Sequence, residues 1–334
     1  MPRNKRINLP GVVYHVISRG IERRTIFLDK TDRNEFLRRL EGGLEKTVCQ
    51  CIAWSLMPNH LHLLIRTGER ALSDLMRKLL TGYAIYFNRR HQRHGYLYQN
   101  RYKSILCQEE AYLLEMVRYI HLNPLRARIV SDLKSLDKYP WAGHSVLVGK
   151  IKRDWQSVDD VLLRFSSKRR AAIAGYRKFI RDGVRMGRRD DLIGGGLRRS
   201  AGGWEGIKAL RRAKEYWRGD ERILGDGDFV NKVLKAAEEH LVRKEKWLRE
   251  GWDIDRLAGR ISKEFGISKK ELKSKSRAGI LPTARGALCY LGTHELAIPG
   301  TEIARYLDIS RPAVSHLKKR GGIYLKEEES NLIS

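Results

Sequence analysis

The sequence predicts an α+β domain, an antiparallel sheet with packed helices, over about its first 150 residues, and a mostly α-helical region after it. Three observations predict this. β-Branched runs alternate with amphipathic stretches in the order strand, helix, strand, strand, helix, strand, helix. Two of those strands are separated only by the turn Pro58-Asn59, which makes them antiparallel neighbours. Past about residue 150 the strand-like runs give way to helical periodicity interrupted by glycine clusters.

The first strand is Gly11–Ser18, β-branched and aromatic after a Pro-Gly turn and closed by Arg19-Gly20. From Thr31 the pattern becomes helical. Asp32 is placed to cap, Phe36, Leu37, Leu40 and Leu44 fall at helical spacing, and Gly42-Gly43 should weaken the end. Thr47–Leu56 alternates into a strand, and His60–Ile65 forms the next across the turn. An amphipathic helix follows from about Ser73 to His91. Then comes the basic, aromatic stretch His94–Lys103, whose tail, Ser104–Gln108, reads as a strand. Glu110–Asn123 is a strong helix, expected to end near Pro124 because the residue before proline is biased out of the α region. A split order of this kind is related to the ferredoxin-like class.

Composition narrows the function. Across 334 residues, Lys+Arg 67 against Asp+Glu 39 gives a net charge of +28. Such an excess points to a polyanion, most simply nucleic acid, rather than to a small-molecule enzyme. No apolar run approaches the roughly 20 residues that cross a bilayer, so no membrane partner and a soluble, cytoplasmic, nucleoid-associated protein are expected. Cys49, Cys51, Cys107 and Cys289 lack the spacing of a zinc site and should be buried free thiols.

The chemistry concentrates at His60-Leu61-His62. Side chains alternate across a strand, so both imidazoles project from one face and Leu61, Leu63 and Ile65 from the other. The segment alone reads equally as a divalent-metal pair or as two half-exposed histidines on a sheet. A second constellation lies on the helix before Pro124, where Tyr119 and Asn123 are four apart and share a face. A tyrosine nucleophile beside an amide oxygen, brought to two histidines, would suit metal-assisted phosphoryl transfer with Mg²⁺ or Mn²⁺. Tyr112, nearer the helix start, is the alternative nucleophile. Arg77, Arg89, Arg90, Tyr98, Arg101 and Lys103 are candidate contacts to single-stranded DNA, since bases stack on rings and phosphates pair with Arg and Lys. Packing is the alternative for Tyr96, Tyr98 and Tyr102.

Residues 151–252 read as a helical connector region, with breaks at Gly194-Gly195-Gly196 and Gly202-Gly203 and a charged helix from Asp228 to about Glu250. Residues 253–334 read as a helical DNA-binding domain with a helix-turn-helix at about 301–321. There Thr301–Leu307 is the first helix, Asp308-Ile309 the turn, and Ser310 the cap of a second helix stopped by Gly321-Gly322. Ile303, Leu307, Ile309, Val314 and Leu317 would form the shared core. Arg311, Ser315, His316, Lys318 and Lys319 would be left for bases or phosphates of duplex DNA. An ordinary helical hairpin is the alternative.

Pro10–Val16, Met57-Pro58-Asn59-His60-Leu61-His62 and Tyr119-Ile120-His121-Leu122-Asn123-Pro124 together resemble the single-tyrosine transposases of the HUH endonucleases, and among them the REP-associated tyrosine transposases. The resemblance covers about residues 1–145. It implies an HUH nuclease fold over residues 1–150, with His60, His62 and Asn123 as metal ligands and Tyr119 as nucleophile. It also implies cleavage of single-stranded, hairpin-forming REP-like repeats through a 5′-phosphotyrosine link, by a monomer or homodimer. The tail from about Pro282 resembles, more loosely, the DNA-binding domain of the replication initiator DnaA, and would dock on duplex DNA beside the hairpin. Two other functions stay open: a repeat-binding regulatory protein without catalysis, and a replication-initiator-like or relaxase-like nickase.

Overall fold

One sheet of strand order β2-β3-β1-β4-β5 organises the first part of the chain: β1 is Val13–Arg19, β2 Gln50–Met57, β3 His60–Arg66, β4 Lys103–Cys107 and β5 Ile223–Leu224. The computed structural model describes residue 7 and residues 9–68, 71–187, 189, 192, 220–276, 278–296 and 298–327, without the side chains of 240–246, 248 and 319. The glycine breaks expected at 194–196 and 202–203 lie outside the described residues. The described chain divides into two compact units, Met1–Leu234 and Lys235–Ser334.

Strands β1–β4 pair antiparallel, as expected, but the sheet is mixed because β5 pairs parallel with β4 (Leu106↔Ile223, Cys107↔Leu224). A parallel pair needs a long connection, and here more than a hundred residues intervene, so no local pattern announces it. A reciprocal clasp fixes the join: Gln108 Nε2 donates to Asp226 Oδ2 at 2.8 Å, and Asp226 N to Gln108 Oε1 at 3.0 Å.

Antiparallel partners share a face. Val13, His15 and Ile17 of β1 therefore lie beside Arg66, Leu64 and His62 of β3. Helix α3, Glu109–Arg126, covers this face, and Leu113, Met116, Val117 and Ile120 join Val13, Leu64, Ile105 and Cys107 in one buried core. The same core takes in Leu136 of α4 (Leu133–Lys138), Leu147 of α5 (His144–Leu147), α6 (Asp159–Leu162) and α7 (Arg169–Gly183), so it spans both sides of position 150. Arg66 sets the register. Its guanidinium holds Glu109 at 2.6 Å and Asp160 at 2.7 Å, pinning the start of α3 to the end of β3. From that anchor α3 rises about 15 Å to Tyr119, and β3 runs back about 13 Å to His62. The two elements thus deliver Tyr119 and His62 to the same level.

Three helix limits differ from expectation. Helix α1, Lys30–Thr47, is capped by Asp29, which accepts from Asp32 N, while Asp32 accepts from Leu28 N. It also runs through Gly42-Gly43. Helix α2 is Leu72–Arg90, close to the predicted span. Helix α3 continues through Pro124 to Arg126, and Ala127 N still donates to Asn123 O. All four cysteines are buried free thiols. No helix among the described residues is long and apolar enough to cross a membrane.

Helix α8, Gly227–Arg249, matches the charged helix expected from Asp228. The second unit packs α9 (Ile254–Glu264), α10 (Lys269–Lys273), α11 (Leu281–His294), α12 (Gly300–Tyr306) and α13 (Arg311–Glu327) around Leu257, Ile261, Leu288, Ile303, Leu307 and Val314. Asp308 takes the left-handed conformation at the α12–α13 turn, φ 51°, which Asp tolerates better than most residues. Ser310 Oγ accepts from Ala313 N at 3.4 Å. Gly321-Gly322 does not stop α13, because Gly321 lies directly against the backbone of Gly286 on α11 and lets the two helices approach.

Candidate active site

Sheet register places a third histidine, His15 of β1, beside His62 of β3. His15 Nε2 and His62 Nδ1 share a hydrogen bond of 2.9 Å, with rings stacked at 5.2 Å and 16°. The ring of Tyr119 stands edge-on to both, 5.8 Å from His62 and 5.9 Å from His15. His60 lies 5.1 Å from His62, ring to ring. Tyr119, rather than Tyr112, is therefore the α3 tyrosine set against the histidine strand, and Tyr112 packs at the edge of the core.

The hydrogen bonds orient the rings. Asn59 Nδ2 donates to Arg23 O at 3.0 Å, so Asn59 Oδ1 faces His60 Nδ1 at 2.7 Å. An amide oxygen only accepts, so His60 Nδ1 carries the proton and its Nε2 carries the lone pair. The second ring does the same when His62 Nδ1 donates to His15. Burial holds His60 down to about 4, with the Arg19 cation adding to it. His62 sits well below the ordinary imidazole range, first through burial, then through His15, His60 and Arg19. Neutral imidazoles are what a divalent metal requires.

Asn123 follows Tyr119 by one turn of α3. No contact joins its side chain to the histidines, but its Nδ2 is buried and makes no hydrogen bond, so that nitrogen anchors the amide to nothing else. Among the described residues, no group of three His, Cys, Asp or Glu side chains could hold a metal. A metal here would rest on two imidazole nitrogens and an amide oxygen. That donor set fits a divalent ion that keeps open positions for substrate.

The predicted DNA-contacting residues scatter. Arg77, Tyr98 and Arg101 line one groove of about 830 Å³ between α2 and residues 95–102, with Tyr96 84% exposed beside them. Tyr98 is half-buried and its hydroxyl lacks a partner, while Tyr102 is buried. Arg89 and Lys103 are exposed outside this groove. Arg90 is committed elsewhere, holding Asp29 at 2.7 Å and Asp32 at 2.5 Å at the start of α1. In the second unit Arg311, Ser315 and His316 are exposed. Lys318 is buried, contrary to expectation, because its turn of α13 faces α11. The side chain of Lys319 lies outside the described ones.

Two residues escaped the sequence reading. His15 sits in a correctly predicted strand, but only strand pairing puts it beside His62. Arg126 lies past the expected helix end, and the helix that continues to it brings its Cζ to 5.8 Å from the Tyr119 ring centroid.

Comparisons with known proteins agree with this part of the chain. Residues 8–123, which include His60, His62, Tyr119 and Asn123, match the family model described as "Transposase IS200 like". A solved structure described as "Structure of the REP associates tyrosine transposase bound to a REP hairpin" is similar over 48% of this chain and 90% of its own, at 18% identity and a TM-score of 0.38, too distant to inform function. No curated protein matches the chain. The segment similar to the IS200-like transposase family carries β1–β4, α3 as far as Asn123 and the histidine–tyrosine cluster.

Proposed function

We propose that this chain is a transposase that nicks and rejoins single-stranded, hairpin-forming repeat DNA through Tyr119. The observation that carries the reading is the Tyr119 ring standing against His62 inside the family-matched segment. The Tyr119 oxygen bonds to the scissile phosphorus as the bond from phosphorus to the 3′ oxygen breaks. The phenol proton is balanced by the proton gained at the departing 3′-hydroxyl, and a 5′-phosphotyrosine link remains. A second 3′-hydroxyl reverses the step and joins strands, so no nucleotide triphosphate is consumed. Mg²⁺ or Mn²⁺ held by His60, His62 and Asn123 would polarise the scissile phosphate. His15 and Asn59 keep the two imidazoles oriented and tautomerically defined.

In this reading Arg77, Tyr98 and Arg101 take the single strand, and the exposed face of α13 at Arg311, Ser315 and His316 takes duplex DNA nearby. The test incubates the full chain with single-stranded hairpin oligonucleotides and Mn²⁺ or Mg²⁺. A denaturation-resistant adduct is expected, lost in Tyr119→Phe and strongly reduced in His60→Ala. An adduct that persists in Tyr119→Phe overturns the nucleophile. No adduct on any repeat-bearing oligonucleotide, with binding intact, favours the regulatory reading.

A further inference from the structure

Tyr119, Asn123 and Arg126 fall at i, i+4 and i+7 on α3 and form one stripe. The Arg126 guanidinium lies over the Tyr119 ring, and no ion pair holds it among the described residues. Its Nε and Nη1 are buried with no hydrogen-bond partner, and Nη2 makes only a long bond of 3.4 Å to Gly183 O. Among the described residues, the one carboxylate that acts on Arg126 is already taken. Glu115 receives Arg118 Nη2 at 2.5 Å and Arg189 Nη1 at 2.8 Å. Three guanidiniums therefore share a single carboxylate among the described residues. Burial pushes Arg126 below its usual range, and Arg189 and Arg118 push further, while Tyr119 and Glu115 oppose them.

A buried cation with unmet donors is costly unless an anion joins it. The helix C-terminus does not account for this arrangement, since an exposed arginine would complement the dipole without losing its water. Among the described residues, what the cluster lacks is negative charge, beside the hydroxyl-bearing ring assigned above to phosphoryl transfer.

We propose that Arg126 is the anion-holding residue of the site and receives the DNA phosphate that becomes joined to Tyr119. This rests on the reading of Tyr119 as nucleophile. Guanidinium donors grip phosphate oxygens strongly, and such donors act most on charge that builds up during transfer. Arg126 would thus be a catalytic residue, supplied by the turn of α3 beyond Pro124.

Two measurements on the full chain test it. In the first, inorganic phosphate is titrated at constant ionic strength against chloride while thermal unfolding is followed. Phosphate should raise the melting temperature of the wild type through binding to the folded state. That rise should persist in Lys46→Gln, an exposed control, shrink in Arg126→Lys and vanish in Arg126→Gln. An equal rise in the wild type and every Arg126 variant overturns the proposal. Should Arg126→Gln fail to fold, Arg126→Lys decides, since a lysine lacks the planar fork and an unchanged response would then be contradictory.

In the second, adduct formation on a hairpin oligonucleotide should fall by roughly 10²-fold or more in Arg126→Gln, with hairpin affinity nearly unchanged. A wild-type rate overturns the proposal. The phosphate titration needs no DNA, so it separates a failure of Arg126 from a failure of Tyr119. A phosphate response lost in Arg126→Gln alongside an adduct that survives Tyr119→Phe would keep the anion site and remove the nucleophile.

Discussion

His62 and His121 are buried and His60 half-buried, and the folded pKa values of all three lie below the ordinary range, each chiefly through loss of water; His144 adds to it at His121. A group that binds its proton less readily folded than unfolded contributes fully above the unfolded value of about 6.5 and loses that contribution as pH falls. For His60 the loss runs from about 6.5 down to about 4. Urea denaturation should therefore show the first unit weakening as pH drops from about 7.5 to about 5, by up to ~1.4 kcal/mol per pH unit for each fully titrating histidine. His60→Asn should shallow that slope. Stability that is flat or rises toward acid would contradict the assignment. At the same scale, Arg311→Ala should weaken duplex binding and lower the log–log salt slope by about one, while Lys318→Met, altering a buried residue, should leave the slope alone. An unchanged slope in Arg311→Ala would remove α13 from the DNA interface.

Helix and strand positions were legible where a local period defines them. β3, α2 and the buried stripe of α3 follow directly from spacing. What local patterns missed was set by distant packing. Of two glycine pairs, Gly42-Gly43 was expected to weaken a helix end and Gly321-Gly322 to stop a helix, and both lie inside helices. Gly43 makes room for Leu75 Cδ1, which a Cβ would approach to 2.7 Å, and Gly321 makes room for the backbone of Gly286. Gly42 faces open space. The same substitution should therefore have opposite signs at the two positions. Gly42→Ala should stabilise by about 0.5–1 kcal/mol, and Gly321→Ala should destabilise the second unit by about 1–3 kcal/mol despite its better helix propensity. Thermal melts of both variants check this, and a stabilising Gly321→Ala would contradict the packing. Pro124 misled in the same way. It was read as a stop, α3 passes through it, and the missed turn hid Arg126.

On the scale of the whole chain, the family-matched segment 8–123 shares its buried core with residues well beyond it. Val161, Leu162, Tyr176, Ile180 and Leu224 bury in the same core as Leu113 and Val117 of the tyrosine helix. His121, two residues from Tyr119, hydrogen-bonds the Tyr176 hydroxyl at 2.8 Å, which also holds His144 at 2.8 Å. Residues past 150 thus brace the helix that carries Tyr119. A fragment ending at residue 150 should expose that core and unfold at lower urea than one ending at Leu234, whereas equal midpoints would show the bracing to be dispensable. The net charge of +28 points to a polyanion partner without locating the contacts; Arg90 and Lys318, both chosen for charge, serve the fold. The central claim is that Tyr119 takes the DNA phosphate, and peptide mapping of the covalent adduct tests it most directly. After nuclease and protease digestion, mass spectrometry should find the residual nucleotide on the peptide containing Tyr119. A nucleotide on Tyr112 or on any other residue would contradict the account.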